Sequence, residues 1–89
     1  MEAAARALPA TATATLDARE GALLSIQLTA GADAATATIR TGGGSGAVIG
    51  KLGAAIGLSA SHTYVSGVPY ADLHVTITGT TPVFVAEVL

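Results

Sequence analysis

The sequence predicts an all-β domain: a small antiparallel β-sandwich or barrel of about seven short strands, with an Ala-rich N-terminal arm. Apolar and polar residues alternate with a period of two through most of the chain, as strands with one buried and one solvated face require. Gly, Pro, Asp and Thr interrupt that alternation at intervals of roughly ten to twelve residues, the spacing of short strands joined by turns. Composition bounds the core. Of the 89 residues 20 are Ala, whereas Val, Ile, Leu and Phe together number 22. One domain of this length buries about 60–65% of its unfolded surface. Cysteine is absent, so no disulfide adds to that core, and contacts between subunits are the natural source of further burial.

Residues 1–9 read as an arm. Ala3, Ala4, Ala5 and Ala7 favour a helix, but the segment is too short to hold one in water and Pro9 stops it. The β domain is expected over residues 10–89. Residues 10–17 alternate Thr11, Thr13 and Thr15 with Ala12, Ala14 and Leu16, a strand, and residues 18–21 make a turn. Residues 22–30 form the next strand, with Leu24, Ile26 and Leu28 inward and Leu23, Ser25, Gln27 and Thr29 outward. After a turn at 31–33, residues 35–41 place Ala35, Ala37 and Ile39 inside and Thr36, Thr38 and Arg40 outside.

A Gly-rich loop spans 42–46. Residues 47–58 fit two readings: Val48, Leu52 and Ile56 have helical spacing, but Gly50, Gly53 and Gly57 each penalise a helix by roughly 1 kcal/mol. A short strand over 47–52 followed by a loop is preferred. Residues 60–66 form a strand that Gly67, Val68 and Pro69 break, and residues 70–78 form another, with Leu73, Val75 and Ile77 on one face. After the turn at 79–82, residues 83–89 are apolar on both faces. Such a strand needs cover on both sides, from the core or a partner. Val83, Phe84, Val85, Val88 and Leu89, with Leu8 and Pro9 of the arm, are therefore the expected interface.

Charge excludes several classes. Four Lys and Arg against six Asp and Glu give a net charge of −2, which offers no footprint for nucleic acid or an anionic membrane. No apolar run approaches the roughly 20 residues of a membrane span, and residues 1–10 have no apolar stretch of the signal-peptide kind. A mean hydropathy of +0.61 argues for a folded chain.

Motifs for chemistry fail on inspection. Ser45 stands where a phosphate-binding loop needs its first glycine, and Leu52 follows Lys51 where a hydroxyl should hold magnesium. The dinucleotide pattern fails at Ala47. His62 and His74 lie on different strands without a metal-ligand spacing and read as solvated strand positions. Asp17, Glu20, Asp33, Asp72 and Glu87 are dispersed, and Asp33 reads as a turn residue bonding its own backbone. No Gly-x-Ser-x-Gly elbow accompanies the serines and histidines. Tyr64, Tyr70 and Phe84 lack a basic cluster and read as core or interface packing. No enzyme activity, cofactor or metal is expected.

Several stretches carry a resemblance: residues 28–39 (LTAGADAATATI), 46–52 (GAVIGKL), 67–70 (GVPY) and 73–83 (LHVTITGTTPV). Over residues 22–89 the chain resembles the small β-rich head decoration, or cement, proteins of tailed bacteriophages; the arm before Ala10 lies outside that pattern. The resemblance implies a structural virion protein on the outer surface of the capsid head, commonly a homotrimer, with the major capsid protein as its partner. A tail, fibre or surface adhesion module binding a glycan or receptor is the alternative reading, and a small hydrolase a third.

Overall fold

The computed structural model describes residues 5–89, all β. Six strands, β1 (Arg6–Ala10), β2 (Ala14–Thr29), β3 (Ala35–Thr41), β4 (Ala47–Ala54), β5 (Ser59–Thr78) and β6 (Val83–Val88), form one antiparallel sheet in the order β1-β6-β2-β5-β3-β4.

The register shows how one sheet makes two layers. The last residues of β2, Ser25 to Thr29, pair with Thr63 to Ser59 at the start of β5, while Ala14 and Thr15 pair with Val75 and His74 near its end. β6 joins only the second half of β2, with β1 beyond it. β3 joins only the end of β5, with β4 beyond it. The sheet therefore folds over midway along β2 and β5, and both strands run through both layers. Leu23, Ile26, Leu28, Phe84, Ala86 and Val88 from one layer meet Ala35, Ala37, Ile39, Leu73 and Val75 from the other in a single buried cluster. The shortest dimension, 17 Å, is that of two layers about 10 Å apart plus their outer side chains.

Irregularities make the fold-over. The β2–β5 register shifts between Thr15 and Asp17, between Asp17 and Glu20, and between Leu23 and Ser25. On β5, Gly67 (φ 74°) and Asp72 (φ 57°) adopt left-handed backbone, which glycine enters freely and Asp tolerates better than most residues. A bulge bends a strand and increases its twist without ending its pairing.

This is where sequence and structure diverge. Residues 10–17 and 22–30, expected as two strands around a turn, belong largely to one bulged strand, β2. Residues 60–66 and 70–78 likewise merge into β5, because the break expected at Gly67 and Pro69 is a bend within a continuing strand. The expected inward residue Leu24 lies at the last register shift, and Leu23 is buried instead. The arm is not separate from the domain as far as it is described: residues 6–9 begin β1, paired with β6 from Arg6 opposite Val88 to Ala10 opposite Phe84. Pro9 fits there because β1 is an edge strand, where one side of the backbone needs no N–H donor. The seven short strands thus become six, two of them long; β3 and β6 lie where periodicity placed them, and β4 extends to Ala54.

Candidate functional site

The structure divides the expected interface residues between core and surface. Phe84 and Val88 are fully buried inside the chain's own core, a correction to their assignment as contact residues, and Leu8 packs half-buried against that core. Pro9, Val83 and Leu89 are exposed and Val85 is half-buried. Direct cross-strand partners share a face of a sheet. Pro9, Val85, Gln27 and Ser61 therefore form one row across the outside of the first layer, and Val83, Thr29 and Ser59 the next. Thr29 Oγ1 and Ser59 Oγ are hydrogen-bonded at 2.9 Å. The result is an outer face of small apolar and hydroxyl groups.

Among the described residues the one buried carboxylic acid is Asp17, 7% exposed. Tyr70 Oη donates to its Oδ2 at 2.6 Å, the Arg19 backbone N–H donates to Oδ1 at 3.1 Å, and Arg6 Nη2 donates to Oδ2 at 3.0 Å. The Tyr70 hydrogen bond, aided by the Arg19 amide and Arg6 and opposed by burial, holds the carboxyl down at about 2. Burial, with the Asp17 carboxylate beside it, pushes the Tyr70 hydroxyl up to about 12. Gly21 makes room for this arrangement: a Cβ there would stand 2.5 Å from Tyr70 Oη and 2.9 Å from the Leu89 carbonyl. The network joins β1, β2 and β5, with both carboxylate oxygens accepting from the chain's own donors.

Two sides of the folded sheet lack ladders. On one, β1 and the first half of β2 are bridged by the Arg6–Asp17 ion pair. On the other, β4 and the first half of β5 are bridged by Tyr64 Oη donating to the Ile49 carbonyl at 3.1 Å. Burial raises the Tyr64 hydroxyl pKa, and its ring meets that of His62 edge-on at 4.6 Å. Gly50 lies under Tyr64, its missing side chain leaving space for the phenol.

Exposed large apolar side chains are concentrated in one stretch of the chain. Val48 is 53% exposed, Ile56 64%, Leu58 61% and Val65 98%, four of the six such residues described. They fall within residues 47–66, where Lys51 is the only charged side chain. Sequence reasoning missed this concentration, although one charge in twenty residues was its signal.

The Gly-rich loop is tied to β5, with the Gly42 and Gly43 amides donating to the Ala71 and Asp72 carbonyls at 2.7 and 3.0 Å. Asp33 departs from its expected role: its carboxylate accepts from Thr80 Oγ1 at 2.6 Å, linking two turns rather than closing its own. His62 is exposed and His74 half-buried. No three His, Asp or Glu side chains converge as a metal site among the described residues. No family model, curated protein or solved structure matches the chain.

Proposed function

We propose that this chain is a structural virion protein, a decoration or cement protein that binds the outer surface of a tailed-phage head and bridges neighbouring copies of the major capsid protein. The family resemblance over residues 22–89 introduces the reading, and the outer face of the first layer supports it. Pro9, Val83 and Val85 stand beside Gln27, Thr29, Ser59 and Ser61 on adjacent strands, giving a broad surface of small apolar contacts and hydrogen-bonding groups. With ten charged residues in the chain, attachment rests on apolar and polar contacts, because exposed ion pairs contribute little.

A protein that binds the assembled shell and not its separated parts shifts assembly toward the shell, and many weakly bound copies act together. Particles with and without the protein, heated in parallel, test this: decorated particles should rupture at the higher temperature. Raising salt from about 0.05 to 0.5 M should detach few copies, because screening acts on charges. Val83→Asp with Val85→Asp should abolish decoration while leaving the fold intact. Equal rupture temperatures, with the protein bound, would rule out cementing and favour the adhesion reading.

A further inference from the structure

We propose that the outer face of the second layer, around Arg40 and Lys51, binds an anionic polysaccharide. Cross-strand partners build this face in rows. Thr15, His74, Arg40 and Val48 make one row across β2, β5, β3 and β4; Thr76, Thr38 and Lys51 make the next, and Thr78, Thr36 and Gly53 the third. The alternate residues Ala35, Ala37, Ile39, Leu73 and Val75 are buried, so the rows point outward. Of the four Arg and Lys in the chain, Arg6 and Arg19 are paired with Asp17. The other two both stand here. Lys51 faces Thr38, two residues from Arg40, so the cations are diagonal neighbours about 7–8 Å apart. None of the described acids occupies these rows: Asp72 sits beside Gly43 in the Gly-rich loop, Asp33 is bonded to Thr80, and Asp17, Glu20 and Glu87 lie elsewhere on β2 and β6.

The chemistry of the face selects the ligand. Arg40 donates from Nη1 to Thr76 Oγ1 at 3.4 Å, its one side-chain hydrogen bond among the described residues, which leaves the rest of the guanidinium fork for an oxyanion. Lys51 is exposed and adds a second charge. Around them the threonine hydroxyls both donate and accept, as sugar hydroxyls do. No pocket opens among the described residues, which favours an extended polymer over a small molecule held in a cleft. No aromatic side chain stands in the rows, so bases of a nucleic acid have no stacking platform. Val48 is the only large aliphatic residue there, too little for the apolar centre on which a protein interface is built. A polymer of hydroxyls and oxyanions matches what remains. The net charge of −2 does not oppose it, because the local distribution of charge sets what a face attracts. This face lies on the layer opposite the one assigned to the capsid, and the inference does not rest on that assignment. On a particle held by the first layer, many outward copies would add avidity to a weak single contact.

Retention of the purified protein on immobilised dextran sulfate, loaded at about 0.02 M salt, tests the proposal. The wild type should bind, elute before about 0.5 M salt as screening takes hold, and pass unretarded through neutral dextran. Arg40→Gln and Lys51→Gln should each weaken binding about fivefold in competition with the soluble polymer, with an unchanged circular dichroism spectrum. Arg19→Gln removes the same charge from another part of the molecule and should leave binding within about twofold. No retention, equal retention on neutral dextran, equal losses from Arg19→Gln and Arg40→Gln, or tighter binding to a single-stranded oligonucleotide than to dextran sulfate would overturn it. Attachment to capsids, which should resist the same salt, is a separate measurement, so either reading can fail while the other stands.

Discussion

Replacing Tyr70 with Phe removes one oxygen and little else, so it isolates the hydrogen bond that holds Asp17 ionised inside the protein. The bond is short, 2.6 Å, and its acceptor is almost fully buried. A hydrogen bond to a charged group contributes about 1.5–3 kcal/mol. The carboxyl stands at about 2 against an ordinary value of 3.8, which corresponds to about 2.5 kcal/mol for all its partners net of desolvation. The two figures agree on an expected loss of about 2 kcal/mol at neutral pH for Tyr70→Phe. In a domain of this size that lowers the melting temperature by about 10 °C.

The pH dependence follows from the direction of each shift. Because the folded Asp17 is the stronger acid, its contribution is complete above the unfolded value of 3.8 and fades as pH falls toward 2. Tyr70 is the weaker acid when folded, so its contribution is complete below 10 and fades as pH rises toward 12. Urea unfolding from pH 1.5 to 12, read by circular dichroism at a protein concentration low enough to keep one oligomeric state, measures both limbs. The wild type should lose about 2 kcal/mol across the acid limb, and Tyr70→Phe should flatten it and abolish the Tyr70 share of the alkaline one. A variant as stable as the wild type at pH 7, or a wild type indifferent to pH between 4 and 2, would refute the assignment of Asp17 as the buried anchor.

Gly50→Ala should push Tyr64 off the Ile49 carbonyl and cost about 1 kcal/mol, seen as a lower urea midpoint with an altered tyrosine signal. Thr81 is a β-branched residue at φ 53°, and its replacement by Gly should make the domain about 1 kcal/mol more stable; an unchanged or lower melting temperature would show that its hydroxyl's bonds with the Ala32 amide and the Thr80 carbonyl outweigh the strain. Phe84→Ala empties the largest fully buried side chain and should cost about 3–5 kcal/mol, enough to unfold the domain at 37 °C. Deleting residues 2–9 takes away Arg6 and nearly all of β1, so the shortened chain should be less stable in urea and not merely shorter.

Local periodicity made the short, regular parts legible. Ala35, Ala37 and Ile39 alternate without interruption and bury as read, and the position of β6 was legible too, although Phe84 and Val88, expected at the interface, are buried in the core. It failed where the chain bends without stopping. Arg19, Glu20 and Gly21 look like a turn because they lack alternation, but a bulge also suspends alternation; and the later shift between Leu23 and Ser25 moves the inward set from Leu23 to Ile26 and Leu28, so that Leu23 is buried rather than Leu24. β1 was illegible because alanines read as weak helix and proline as a stop, whereas the open edge of β6 recruits the segment as a strand. The Asp17 network joins residues 53 positions apart, a separation at which neither residue type nor spacing signals a partner. The apolar outer positions of β6 were visible, but which face of that strand the core would take depended on β1 and β2 flanking it.

The place of β6 in the sheet also sets when the protein can fold. It is the last of the described strands, and it supplies Phe84, Ala86 and Val88 to the middle of the core. It also separates β1, the first of the described strands, from β2. During synthesis residues 6–10 have no ladder partner until residues 84–88 emerge, so the ladder of β1 waits on β6. Pairings of such long sequence separation close slowly. A nascent chain stopped before β6 would leave the second half of β2 uncovered on one edge and Leu23, Ile26 and Leu28 without Phe84. Such fragments should be captured by chaperones and degraded, so that only chains that include β6 accumulate.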